Sequence, residues 1–296
     1  MTFKPDVHKE RNIARRGGGG GGRIALGGGL GTVVLVGLYL LMGGNPGDLE
    51  GLIGSQNNST NYSDSASDGF DECQTAEDAN SRSDCRVEFT AMSVFKTWEE
   101  QLPRQAGIQF QEPGLVIFQD STQSGCGFAS GSTGPFYCPA DHTAYFDVSF
   151  FKQLEKFGGT DAPLAEMYIV AHEYGHHIQS LENTLSLSDY NDPGENSNAV
   201  KIELQADCYA GIWAHWADKG DNAMLEKITP EQVQSVIRNA QAVGDDNIQK
   251  RSGGQVRPDQ WTHGSSDQRA HAFLSGYEKG TMAACDTLGR NVYRNG

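Results

Sequence analysis

The sequence predicts an α+β fold, a small sheet with several helices, preceded by one transmembrane helix. Three observations predict it. The runs "GLVIFQD" (114–120) and "TAYFDVSFF" (143–151) read as strands, and most long helical patterns follow them, an order that suits α+β rather than a βαβ repeat. Between Ile24 and Met42 there is no charged residue. All six cysteines lie after that run.

Residues 1–22 form a basic, glycine-rich tail with no core-forming pattern. Residues 23–43 are the expected anchor, whose nineteen uncharged residues, at ~1.5 Å rise each, cover roughly 28 Å, about one hydrocarbon core. Lys4, Lys9, Arg11, Arg15, Arg16 and Arg23 precede it, and Asp48 and Glu50 follow. The positive-inside rule therefore keeps the N-terminus in the cytoplasm and places the rest in the periplasm or outside the cell. A cleaved signal peptide is the competing reading, and it exports the same residues. Residues 44–70, rich in Ser, Asn, Gly and Asp, cannot bury enough apolar surface to order themselves and read as a flexible linker.

The folded domain is expected over 71–296. Its cysteines, Cys73, Cys85, Cys126, Cys138, Cys208 and Cys285, are even in number and confined to the exported part, which reads as three disulfides. Connectivity does not follow from sequence; the favoured set is Cys73–Cys85, Cys126–Cys138 and Cys208–Cys285. Residues 85–102 carry Val87, Ala91, Val94, Phe95, Trp98 and Leu102 at helical spacing, and Pro103 is expected to end that helix. After strand 114–120, "GCGFASGSTGPFYCP" is turn-rich, and 143–151 alternates as a strand. A long helix is expected over 162–183, with Pro163 in its first turn. A polar loop follows, then a helix over 198–220 with Gly220 as C-cap. A third helix opens with a Thr229-x-x-Gln232 capping box and runs through "QKR" at 251. A fourth spans 265–286.

A formal net charge of -15 makes the chain a poor general ligand for nucleic acid, which needs basic surface to replace condensed counterions. The stretch "AHEYGHHIQSLEN" (171–183) points to metal chemistry instead. His172 and His176, four residues apart on a helix, aim two imidazoles at one point, and zinc accepts neutral imidazole nitrogen. Glu173 sits beside the metal and can take a proton from an activated water. Alone, such a motif can be a solvated His/Glu face. Here it lies in a helix whose other faces carry Met167, Ile169, Val170, Ile178 and Leu181. The next helix offers Glu203 and, one turn on, Asp207. One carboxylate can complete the metal site while the other accepts the Nδ1–H of a ligating histidine. Two surface acids would be the default, but Leu204, Ala206, Tyr209, Ala210 and Ile212 make this helix largely apolar, and buried charges need partners.

"HEYGH" followed by a Glu-x-x-x-Asp helix resembles the thermolysin-type gluzincins. The fuller strings "AHEYGHHIQ", "ELQADCYAG", "GPFYCPADHTAYFD" and "THGSSDQRAHAFLSGYEKG" resemble the putative neutral zinc metallopeptidases, a bacterial family of membrane-anchored proteins, over most of residues 85–285. The resemblance implies a thermolysin-like, minigluzincin zincin core. It implies bound Zn2+ held by His172, His176 and Glu203, with Glu173 as base and Asp207 behind the ligands. The gap from His176 to Glu203 is longer than in thermolysin.

His263, in "WTHGSSDQR", is the first candidate to stabilise an oxyanion, because it resembles the Thr-His-(Gly/Pro) segment of some membrane-associated gluzincins. Arg269 would be the arginine that follows that segment. The bland alternative for His263 is a loop residue beside a helix N-cap, with Ser265 or Ser266 capping. "TAYFDVSFF" is a candidate edge strand above the cleft, or an ordinary core strand. His177 and His215 are read as packing residues. Together these features predict a membrane-tethered zinc endopeptidase with a peptide or protein substrate. The rivals are a catalytically silent zinc scaffold and a zinc amidase acting on cell-wall peptides. No obvious fourth protein ligand is present to close the site, which favours catalysis.

Overall fold

A computed structural model describes residues 2–18, 69–130 and 133–294. The expected anchor at 23–43 and nearly all of the expected linker lie outside these residues. Among the described residues no helix is long and apolar enough to cross a membrane.

The described residues are α+β. Strands β1 (Ala14–Gly17), β2 (Gly114–Phe118), β5 (Phe136–Cys138) and β6 (Thr143–Asp147) form one sheet in the order β1-β2-β6-β5. β1 and β6 run parallel to β2, and β5 runs antiparallel to β6. β3 (Ser121–Ser124) and β4 (Gly127–Ser130) pair as a separate hairpin. Side chains alternate across the sheet with a period of two. Leu115, Ile117, Ala144 and Phe146 join the main core with the helices, while Val116, Phe118 and Tyr145 pack with Phe136 and Ala129 of the hairpin on the other face. Covered on both faces, β2 reads as a continuous apolar run.

Eight α-helices follow the chain order among the described residues: α1 (Ala76–Ser81), α2 (Ser83–Ala106), α3 (Ser149–Gln153), α4 (Pro163–Leu181), α5 (Asn198–Trp216), α6 (Pro230–Ala242), α7 (Asp245–Arg251) and α8 (Ser266–Lys279). Several ends differ from expectation for local reasons. α2 continues through Pro103 to a left-handed Gly107, because a proline in the last turn removes a single hydrogen bond. β6 stops at Asp147, whose Oδ1 accepts the Ser149 N–H at 2.8 Å and turns the chain into α3. α5 ends at Trp216, before Gly220. The Thr229 capping box is present, but the expected third helix breaks at Gly244 into α6 and α7. A Cβ at Gly244 would meet the Ser266 nitrogen at 2.3 Å. α8 is capped by Ser265 and stops at a left-handed Gly280.

Glycines set the closest helix approaches. A Cβ at Gly175 of α4 would lie 3.0 Å from the Ala206 backbone of α5. Between α5 and α8, a Cβ at Gly211 would lie 2.1 Å from the Phe273 carbonyl oxygen, and one at Gly276 1.9 Å from that of Cys208. The disulfides are Cys73–Cys85, Cys126–Cys138 and Cys208–Cys285, the favoured set.

One expectation is corrected and one open choice is decided. Residues 2–18 are not a tail without core-forming residues: Phe3 is fully buried against Phe89, and β1 extends the sheet. Of the two readings offered for β6, the core strand holds and the edge strand does not. It lies between β2 and β5, all five of its residues are buried, and β1 and β5 are the edges among the described residues.

Candidate metal centre

α4 carries His172, Glu173 and His176, and α5 carries Glu203 and Asp207. The contact at Gly175 brings the two helices close enough for their side chains to converge. Ligand atoms of His172, His176 and Glu203 all lie within 4.8 Å of one another. Glu203 Oε2 is 3.3 Å from His172 Nε2 and 3.5 Å from His176 Nε2. A tetrahedral zinc with bonds of about 2.0–2.1 Å holds its ligand atoms ~3.3 Å apart, so the spacing fits.

The proton positions fit as well. His172 Nδ1 is 2.7 Å from Asp207 Oδ1, and a carboxylate only accepts, so Nδ1 donates. Gln179 donates its amide to the Ile202 carbonyl at 2.7 Å, which turns its Oε1 towards His176 Nδ1 at 2.8 Å. Both histidines thus spend their Nδ1 protons outside the cluster. The Nε2 lone pairs and the Glu203 carboxylate then face one another and need a cation between them. The six cysteines are all in disulfides and offer no competing thiolate.

Asp207 is fully buried and accepts from Tyr168 Oη at 2.5 Å and from Arg269 Nε and Nη2 at 2.8 and 3.0 Å. Burial works against its charge, but Arg269 and His172 outweigh that and hold its carboxyl down at about 2. Burial likewise opposes the charged form of His172, yet Asp207 and Glu203 push the metal-free ring up to about 10. Glu203 stays well below the usual carboxylate range despite burial, held there by His176 and His172. Arg269 lines the cleft, and its Nε and Nη2 are both given to Asp207.

Glu173 and His263 line the same cleft as the three ligands. Burial raises the Glu173 carboxyl above its ordinary value. His263 is oriented from behind by Asp245, which sequence reasoning missed. Asp245 Oδ2 accepts the backbone N–H groups of Thr262, His263 and Gly264 at 2.9, 2.8 and 3.1 Å, and Oδ1 lies 3.4 Å from His263 Nδ1, an ion-pair distance. Burial opposes the His263 charge, but Asp245 and Glu203 raise its pKa. Tyr190, in the polar loop, donates to Glu203 Oε1 at 2.9 Å and was also missed. Gln179 was legible in principle, three residues after His176 on the same helix. The cleft wall is apolar, built from Phe136, Tyr137, Phe150, Ile169, Leu185 and Val243. His177 faces away from the metal cluster. Its Nε2 donates to the Gln111 carbonyl at 2.6 Å, so its Nδ1 accepts from Tyr137 Oη at 3.0 Å. His215 packs its ring edge-on against Trp216.

A family model described as putative neutral zinc metallopeptidase matches residues 4–288. The chain belongs to this family. The similar relatives are uncharacterized by name. One, from Mycobacterium tuberculosis, is 41% identical over 257 residues, covering 84% of this chain and 84% of the relative. Another, YpfJ of Escherichia coli K12, is 39% identical over 201 residues, covering 66% of this chain and 68% of the relative. No solved structure matches the chain. The family description implies zinc, and His172, His176 and Glu203 form a site that can hold it.

Proposed function

We propose that the chain is a membrane-tethered, zinc-dependent endopeptidase. The observation that carries this reading is the convergence in one cleft of a three-ligand site, an acid beside it and an oriented histidine. A structural zinc site closes all four positions with protein ligands; here the fourth side faces the cleft. When bound, zinc supplies Lewis acidity to a scissile carbonyl and makes water more acidic.

The chain's own residues do the rest. Glu173, raised by burial, takes a proton from the attacking water and returns it to the leaving amine. His263, its Nδ1 turned to Asp245 and Thr262, offers its other nitrogen to the developing oxyanion. Tyr190 and Asp207 hold Glu203 and His172 in their ligating orientations. An extended peptide can add to the edge of β5 that pairs with no other strand among the described residues, beside the site. The wall of Phe136, Phe150, Ile169 and Val243 favours a large apolar side chain next to the scissile bond. The three disulfides suit an oxidising compartment, and the apolar run at 23–43 supplies the tether.

The test is a mixed peptide library incubated with the zinc-loaded full chain in detergent and read by mass spectrometry. Internal cleavage beside Phe, Leu or Ile is expected. Zinc bound one to one without any cleavage contradicts the reading.

A further inference from the structure

We propose that residues 2–18 and the metal domain lie on the same side of the membrane, so that the chain engages a lipid bilayer from one side instead of crossing it once between residues 18 and 69. The charge rule applied to the sequence alone gives the opposite answer, with residues 1–22 in the cytoplasm and the domain outside. The inference rests on packing and is independent of any hydrolytic activity.

Residues 2–18 are integral to the domain. The Phe3 side chain is fully buried, and Phe3 bridges Leu225. Its N–H and that of Thr2 donate to Asn80 Oδ1 at 3.0 and 2.9 Å. His8 bridges Thr75. β1 supplies the outer strand of the sheet, pairing all four of its residues with β2. Lys9 reaches the wholly buried Glu88 at 3.0 Å, and Glu88 Oε1 also accepts the Ile13 and Ala14 N–H groups at 3.1 and 3.3 Å. Without this segment Glu88 is a buried carboxylate with neither its cation nor those two donors.

Three of the six basic residues that read as a cytoplasmic signal meet acids of the domain. Lys9 pairs with Glu88, Arg11 with Glu112 and Arg16 with Glu72. With the charges reversed, Glu10 of the segment meets Lys96 of the domain. This is charge complementarity between the segment and the domain, which a tail on the far side of a bilayer could not use.

The points where the chain leaves and rejoins the described domain are also adjacent. The Arg16 guanidinium lies over the Phe70 ring at 4.0 Å, and Asn12 donates to Asp71 at 2.9 Å. Exit near residue 18 and return near residue 69 thus occur on one patch of one folded body. A single crossing needs them on opposite faces of a bilayer.

The test uses the full chain in membranes of living bacteria. The described residues include no free cysteine, so Asp6→Cys in the segment and Asp221→Cys in the domain, both exposed, serve as single reporters. A membrane-impermeant maleimide is applied to intact spheroplasts and, separately, after detergent lysis. The two positions are expected to behave alike in intact cells, both labelled or both protected, and both to label on lysis. One labelled and the other protected in intact cells overturns the proposal. A second measurement covers a failure of either reporter to fold. His8 and Thr75 sit opposite each other, flanked by the Lys9 N–H to Gln74 and Ala76 N–H to Val7 hydrogen bonds, both 3.0 Å. This is the close-spaced kind of antiparallel pair, with Cα atoms ~4.5 Å apart, within reach of a disulfide. In the double variant His8→Cys, Thr75→Cys, a cross-linked peptide is expected from mildly oxidised membranes. Its absence while Cys73–Cys85 is intact also overturns the proposal.

Discussion

Replacing Asp207 by Asn changes one atom and removes the charge that three buried groups share. The carboxylate accepts from His172, Tyr168 and Arg269, and the Arg269 side chain is only 6% exposed. Asn presents one oxygen and a donor amide, so at least one N–H of the guanidinium meets another N–H. A buried ion pair that loses one partner costs about 3–5 kcal/mol. That is a large share of the ~5–15 kcal/mol that holds a typical domain folded. The second consequence is at the metal. Without a carboxylate on Nδ1, the His172 ring is no longer fixed in the tautomer that leaves Nε2 open, and such losses lower metal affinity ~10–100-fold. Urea unfolding of the zinc-free protein reads the first effect, and zinc competition against a chelator reads the second. Unchanged stability and an affinity within twofold of wild type would refute the reasoning. A stability loss alone would leave the burial argument standing and remove the tautomer argument.

Other outcomes follow from the same contacts. Asp245→Asn should keep zinc and lower kcat about 100-fold, because Asp245 orients His263 and touches no ligand; metal content and peptide turnover check this, and unchanged turnover contradicts it. Burial holds the His177 imidazole down at about 4. The unfolded ring, with a pKa of ~6.5, binds more protons in between, so this stability is whole above pH ~6.5 and is lost as pH falls through about 4, about 3 kcal/mol in all. His177→Gln removes the titration, so its zinc-free unfolding energy should fall less between pH 7 and 4; an identical slope rejects the assignment. Gly276→Ala pushes a methyl into the Cys208 carbonyl and should cost about 3 kcal/mol by urea midpoint. A shift under ~1 kcal/mol would mean the α5–α8 contact is soft.

What the sequence made legible was local and periodic. His172, Glu173 and His176 are one helical turn, and the i,i+4 rule places them without knowledge of the fold. Glu203 and Asp207 stood out because they were acids on an apolar helix, where charge needs a partner. Asp245 did not. It meets His263 across 18 residues, and only because α6 and α7 break at Gly244 does it face that ring. Tyr190 reaches Glu203 from a loop whose path no spacing encodes. The N-terminal segment was misread for the same reason: its acidic partners Glu72, Glu88 and Glu112 are distant in sequence, so its basic residues looked unmatched. Whether β6 was an edge or a core strand stayed open, because alternation reports which side chains share a face and says nothing of which strands are neighbours.

The most direct test of the central claim is Glu173→Gln in the full chain, with bound zinc and peptide turnover measured on the same sample. Zinc at one per chain with kcat/KM lowered by about 100–10,000-fold is the predicted result, since Glu173 lines the cleft beside the ligands and takes the proton in the proposed mechanism. Undiminished cleavage by the zinc-loaded variant would contradict it and move the base elsewhere in the cleft.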